Sequence, residues 1–338
     1  MRKPVLEKAR RQFAPRRWLA VPLRIGGSAL ALALLFHFLP VKEVWGTLRH
    51  LPPALWVFVI VGYLTAHLIS VNKWRLMVNL AGADLTLRQS AVCYFVGLFS
   101  TLLLPSIVGG DVIRAVTAFR NSQSKTAVVF GGIADRMIDF AALLILAAIG
   151  AALIPQKLPS DLRRVFVLMG TALALIAAVI LLAILLFPQE KLPAFLRRHV
   201  ADSREAVRSL RRKPHYVVVA LLLGLIVQGT FIWLTACVAA AARLHLAFRA
   251  WLFAWPLAKF SGLIPITQGG IGVREAALVV LLRPLGAPPV KTAAVGLAWE
   301  AVIISGGLIA GLVAFALNHF SKRVTARPAE ERLISPRR

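Results

Sequence analysis

The sequence predicts an all-α polytopic membrane protein: six transmembrane helices plus two re-entrant helical hairpins, arranged as inverted repeats. Three observations predict it. Apolar runs of membrane-spanning length recur along the chain, Lys and Arg are distributed unevenly between them, and one Pro/Gly/Arg pattern occurs twice, 160 residues apart.

The 338 residues are 59% apolar and 16% charged, with a mean hydropathy of +0.76. A soluble domain sits nearer half apolar and a quarter charged. The apolar excess falls at about 18–39, 54–72, 126–153, 165–187, 215–241 and 291–318. Each run is long enough to cross ~30 Å of hydrocarbon. The first follows a basic segment and lacks the short core and small-residue site of a cleaved signal, so it reads as an uncleaved helix with Arg24 snorkelling to the headgroups. Two further stretches, 89–107 and 251–265, end in Pro and Gly and are followed by short amphipathic pieces. Each reads as a hairpin that dips into the bilayer and returns to the same side.

The formal charge is +26, from 40 Lys+Arg against 14 Asp+Glu. No base-reading motif or zinc spacing accompanies it, which argues against nucleic acid as a partner. With six crossings, 27 of the basic residues fall on the side of 1–17, 72–90, 108–125, 188–214 and 319–338, and nine on the other. That asymmetry places both termini in the cytoplasm, in a cell inner (plasma) membrane. Arg24, Arg136, Lys259 and Arg274 remain at membrane depth. The domain reading is a basic N-terminus (1–17), a transmembrane domain (18–318, repeat units about 54–153 and 215–318) and a basic tail (319–338) expected to be disordered. Segment 188–214 fits either an amphipathic helix on the anionic leaflet or a plain topogenic loop.

The repeated pattern is Leu104-Pro105 … Gly109-Gly110-Asp111 … Arg114 and Ile264-Pro265 … Gly269-Gly270 … Arg274-Glu275. Pro stops the entering arm because it has no N–H to continue a helix. The Gly pairs suit a reversal at positive φ. The next helix would then start at depth, its free N–H groups favouring phosphate. Arg114 and Arg274 lie about one turn further on and supply guanidinium forks. Paired interrupted segments in two halves mark a transporter site near the midplane. The candidate substrate-binding residues are therefore Arg114, Arg274, Gly109, Gly110, Gly269, Gly270, Asp111 and Glu275. Asp135, Asp139 and Glu300 are candidates for a headgroup amine or a coupling proton. The alternative is that these charges only staple the repeats, with Asp111 as an N-cap and Asp135 paired with Arg114. No metal or cofactor is expected.

Other residues read more plainly. His67 is a packed histidine, Asn72-Lys73-Trp74-Arg75 an interfacial anchor closing the second helix, and Gly307/Gly311 a close-packing face. Cys93 and Cys237 are far apart in apolar stretches and read as buried bystanders.

On Asn72-Lys73-Trp74-Arg75, the Pro105 and Gly109-Gly110-Asp111 segment with Arg114, Asp135-Arg136, and Gly269-Gly270-Ile271-Gly272-Val273-Arg274-Glu275, the chain resembles the flippase-like family typified by the transmembrane region of lysylphosphatidylglycerol synthase, the multiple peptide resistance factor. The resemblance covers about residues 20–318. It implies a lipid flippase fold acting on aminoacylated phospholipids or polyprenyl-linked lipids. These residues include no cytosolic aminoacyl-transfer domain, so lysyl transfer is not expected here. The family commonly carries a basic residue near the position of Trp299-Glu300, where this chain has an acid. The expected function is translocation of a phosphate-bearing lipid, without enzymatic activity, with a separately encoded lipid-modifying enzyme as a possible partner. The rival readings are a polyprenyl-phosphate-dependent membrane transferase, which the short outer loops do not favour, and a non-transporting scaffold of envelope lipid machinery.

Overall fold

A computed structural model describes residues 41–104, 107–154, 160–186, 194–262, 267 and 270–334. They are helical, with no strand among them. The expected first helix, 18–39, lies outside the described residues, as do Pro105, Pro265 and Gly269. In chain order the helices are α1 (Val41–Arg49), α2 (Pro53–Leu80), α3 (Leu87–Leu103), α4 (Ile107–Ala118), α5 (Lys125–Leu153), α6 (Ser160–Leu186), α7 (Ala194–Arg212), α8 (Pro214–Ala241), α9 (Phe248–Ser261), α10 (Val273–Leu282) and α11 (Pro289–Ile334). Four of them, α2, α5, α8 and the Pro289–His319 part of α11, are long and apolar enough to cross a membrane.

Local chemistry sets the helix boundaries. Pro53, Pro214 and Pro289 each open a helix, where a missing N–H has no consequence. Thr86 and Gln89 form a reciprocal capping box at the start of α3, and Ser124 caps α5. The ends of α2 and α8 match bond for bond. Gly82 N–H donates to Asn79 O and Ala83 N–H to Val78 O; Arg243 N–H donates to Ala240 O and Leu244 N–H to Ala239 O. Gly82 and Arg243 both have positive φ, +100° and +54°, the left-handed step that ends a helix in this motif. Arg243 adopts it despite its Cβ, so the two turns are equivalent beyond their sequence likeness.

Two antiparallel helical hairpins follow these turns. In the first, Gly97 of α3 lies against Arg114 and Gly110 of α4, and Gly110 lies against Thr101. In the second, Gly270 packs on Gly262 at the end of α9. The hairpins then exchange partners. Arm α3 packs along α11, with Leu102 over Gly307 and Phe99 over Gly311. Arm α9 packs along α5, with Phe140 and Phe260 5.5 Å apart and the α9 backbone against Gly150. Helices α2 and α8 meet at the centre, through Gly62 with Leu234 and Phe58 with Trp233. The largest apolar core lies around this α2–α8 contact and runs into α9 and α11 through Trp251, Phe253, Trp255 and Trp299.

Several expectations need correction. Helix α2 does not end at residue 72 but continues to Leu80, and Lys73 and Trp74 are each only 1% exposed, so they are not interfacial anchors. Gly109 and Gly110 lie inside α4 and lack positive φ. They serve close packing, with Leu104 against one and Thr101 with the Gly97 carbonyl against the other. Positive φ in the second copy falls at Gly270 and Gly272. Residues 319–334 continue α11, consistent with the good helix formers Ala, Glu and Arg there. Helix α1 was not anticipated, although Val41, Val44 and Leu48 have helical spacing; Val44 is buried and the helix packs on α11. In segment 188–214, α7 buries Ala206 and Val207 against its neighbours.

Two glycines let α5 approach two helices at once. A Cβ at Gly131 would strike the Val78 backbone of α2, and one at Gly150 the backbone of α9, whereas one at Gly132 would meet only Trp74 Nε1 at 3.9 Å. Overpacking costs about 1–3 kcal/mol. Gly131→Ala and Gly150→Ala should each lower the thermal midpoint in detergent by several degrees, and Gly132→Ala should leave it nearly unchanged.

Candidate functional site

The hairpins and central helices enclose a cavity of about 380 Å³. Its lining comes from both halves of the chain. Arg114, Asp111 and Gly110 of α4 contribute, as do Arg136 and Asp139 of α5, Gln228 of α8, Lys259 of α9, Arg274 of α10 and Glu300 of α11. Tyr63, Tyr94, Phe231, Trp255 and Trp299 supply an aromatic wall. Arg114 and Arg274, recognised from one repeated pattern, thus face one space. Asp135, Glu275, Gly109 and Gly270 do not line it, although each sits beside a residue that does.

The charged residues form two groups. In the first, the Lys73 ammonium of α2 contacts both acids that α5 presents one turn apart: it bonds to Asp135 Oδ1 and lies 3.1 Å from Asp139. Arg114 reaches Asp111 at 3.0 Å and Asp135 at 3.8 Å. Arg136 pairs with Asp111 and lies 3.6 Å from Asp139. Asp111 is therefore an ion-pair partner inside α4 and not the N-cap considered from sequence. Arg114 is 4% exposed, with its guanidinium 5.0 Å from the Trp74 ring and 5.2 Å from the Tyr94 ring. The rings flank the cation while the carboxylates fix its orientation.

In the second group, Arg274 stands between Glu300 at 2.9 Å and Glu275 at 3.3 Å. Glu275 also accepts the Gly272 backbone N–H at 2.6 Å. At the N-terminus of α10 this carboxylate takes up the amide of the N-cap residue, Gly272. Gln228 links the groups: Lys259 Nζ donates to its carbonyl at 2.8 Å, and its amide lies 3.4 Å from Asp139.

A second cavity of about 460 Å³ adjoins the first along α4 and α5. Asp111, Arg114, Arg136, Asp139, Gln228 and Lys259 border both. The remaining wall is largely apolar, and Val112, Val116, Val129 and Ile133 on it are exposed. Lys73, Gln228 and Lys259 were not selected from sequence. Lys259 stood out only as a cation at membrane depth. Lys73 was misread because it was placed at a helix end.

Burying Lys73 is tolerable only with its two carboxylates in place. Removing one partner of a buried pair costs about 3–5 kcal/mol, because it leaves an uncompensated charge. Lys73→Met should abolish the monodisperse detergent-solubilised protein, and Lys73→Met with Asp135→Asn should recover much of it, as read by size-exclusion profile and thermal midpoint.

Two comparisons bear on the identity of this fold. Among curated individual proteins, none matches the chain. The family described as "Lysylphosphatidylglycerol synthase TM region" matches residues 20–311, which include both hairpins, both charge groups and nearly all of the cavity-lining helices. The chain belongs to the family of the lysylphosphatidylglycerol synthase transmembrane region.

Proposed function

We propose that this protein translocates a phosphate-bearing lipid, an aminoacyl-phospholipid or a polyprenyl-linked lipid, across the inner membrane, and that it catalyses no chemical step. One observation carries the reading. A cavity lined by Arg114, Arg274 and other charged side chains together with aromatic and aliphatic ones adjoins a more apolar cavity between α4 and α5, and the two share a charged boundary. A charged headgroup joined to hydrocarbon has that same division of chemistry. Membership of a family defined on a synthase of a membrane phospholipid supports the lipid class.

In this reading six helices cross the bilayer and the α3–α4 and α9–α10 hairpins enter it from opposite faces, with both termini in the cytoplasm. The matched helix ends and the exchanged packing of the arms support two related units. Irregular backbone at depth is acceptable where it lines a polar cavity. Phosphate binds between the hairpins within reach of Arg114 and Arg274, the tail remains on the lipid side, and rocking of one unit against the other alternates access. Asp139 and Glu300, which line the cavity, are placed to meet a headgroup amine or carry a coupling proton; Asp135 acts through Lys73 and Arg114. A separately encoded lipid-modifying enzyme would supply an aminoacylated substrate.

Reconstituted protein should accelerate the passage of fluorescent phosphatidylglycerol between vesicle leaflets, read as dithionite-accessible fluorescence. Arg114→Ala and Arg274→Ala should each slow that passage by about tenfold or more, the loss of one charge-assisted contact. Unchanged rates in variants that retain the wild-type elution profile would refute the assignment.

A further inference from the structure

Five cations surround or back the first cavity, and five carboxylates accompany them. The difference between the cations is one of contact. Lys73, Arg114, Arg136 and Arg274 each lie within ion-pair distance of two carboxylates. Lys259 has no carboxylate within that distance among the described residues. Its Nζ donates one bond, to the neutral Gln228 carbonyl at 2.8 Å, and lies 4.9 Å from the Trp255 ring and 5.3 Å from the Phe231 ring. Ring faces and an amide oxygen attract an ammonium but carry no charge to neutralise it. An ammonium has three N–H donors, so two remain for a ligand. A cation removed from bulk water and left in this state lacks the partner that normally offsets its desolvation.

Some side chains that border the cavity carry further buried nitrogens without hydrogen-bond partners. His67 lines it, and its Nε2 is buried without a hydrogen-bond partner. Its Nδ1 lies 3.1 Å from the Tyr94 hydroxyl. Arg136 Nε and Arg274 Nε are likewise buried and without partners, and both side chains line the cavity. These nitrogens are closed to solvent, so Lys259, which lines the cavity without a carboxylate partner, is the group left to meet an anion.

We propose that Lys259 is a further ligand for the anionic phosphate of the substrate, the one cation among these five that brings a charge not already paired with a carboxylate. This rests on the lipid-translocation reading above and names a further residue that meets the headgroup charge. The chemistry recognised is a phosphate monoester or diester, which a lipid headgroup and free inorganic phosphate share.

The test uses the full chain in nanodiscs. The probes are fluorescent phosphatidylglycerol and diacylglycerol with the same acyl chains, and inorganic phosphate serves as competitor. Lys259→Met should weaken phosphatidylglycerol binding by about tenfold and leave diacylglycerol binding unchanged, whereas Lys259→Arg should restore most of the loss. If Lys259→Met binds phosphatidylglycerol like wild type, or loses both lipids equally, the assignment of Lys259 is overturned while the transport reading stands. If wild type does not distinguish phosphatidylglycerol from diacylglycerol, both fall. If inorganic phosphate competes as well as the lipid and depends on Lys259, the phosphate ligand is upheld and the lipid substrate overturned.

Discussion

The ammonium of Lys73, held between Asp135 and Asp139, is the interaction on which the first half of the site depends. One positive charge against two negative ones leaves an excess that a low-dielectric interior does not tolerate. Two guanidiniums, Arg114 and Arg136, supply what is missing, and Asp111 balances them in turn. Each of these groups sits on a different part of the fold: Lys73 on α2, the acid pair and Arg136 on α5, Asp111 and Arg114 on the second arm of a hairpin. Charge neutrality therefore sets the register of three helices. The glycine at position 131, which brings α5 against the Val78 backbone, allows that approach.

The two halves are alike in sequence and different in use. Both end a long helix with the same pair of backbone bonds, and both send a hairpin arm to pack on the long helix of the other half. Beyond that they diverge. Three cations and three carboxylates close the first group, whereas the second places one guanidinium between Glu275 and Glu300 and ties Glu275 to the start of α10. The first half also opens along α4 and α5 into an apolar cavity. The two halves share a frame of matched helix ends and exchanged arms, and their different side chains make the two sides not interchangeable.

Much of this was legible in the sequence because it rests on composition and on residues with fixed backbone behaviour. The apolar runs marked the long helices, and the repeated pattern marked Arg114 and Arg274, which line one cavity. What failed were inferences from position along the chain. Lys73 looked like the end of a span because lysine is usually found at a boundary; only the acids 62 and 66 positions later, on another helix, make it a buried residue. Gly109 and Gly110 looked like a turn because paired glycines often reverse a chain, yet here they thin a helix so that Thr101 and the Gly97 carbonyl can approach. Gln228 carried no signal at all, since a single glutamine in an apolar run gives no hint of the two groups it will lie between.

That glutamine has a consequence for how the halves communicate. Its carbonyl faces Lys259 and its amide faces Asp139, so a cation carried by the second hairpin and an anion carried by α5 are joined through a group that neither gains nor loses a proton. Displacement of the α9 arm would be felt at α5 through this amide, which itself does not titrate. The seam between the halves is therefore bridged by a neutral hydrogen-bonding group set between two opposite charges.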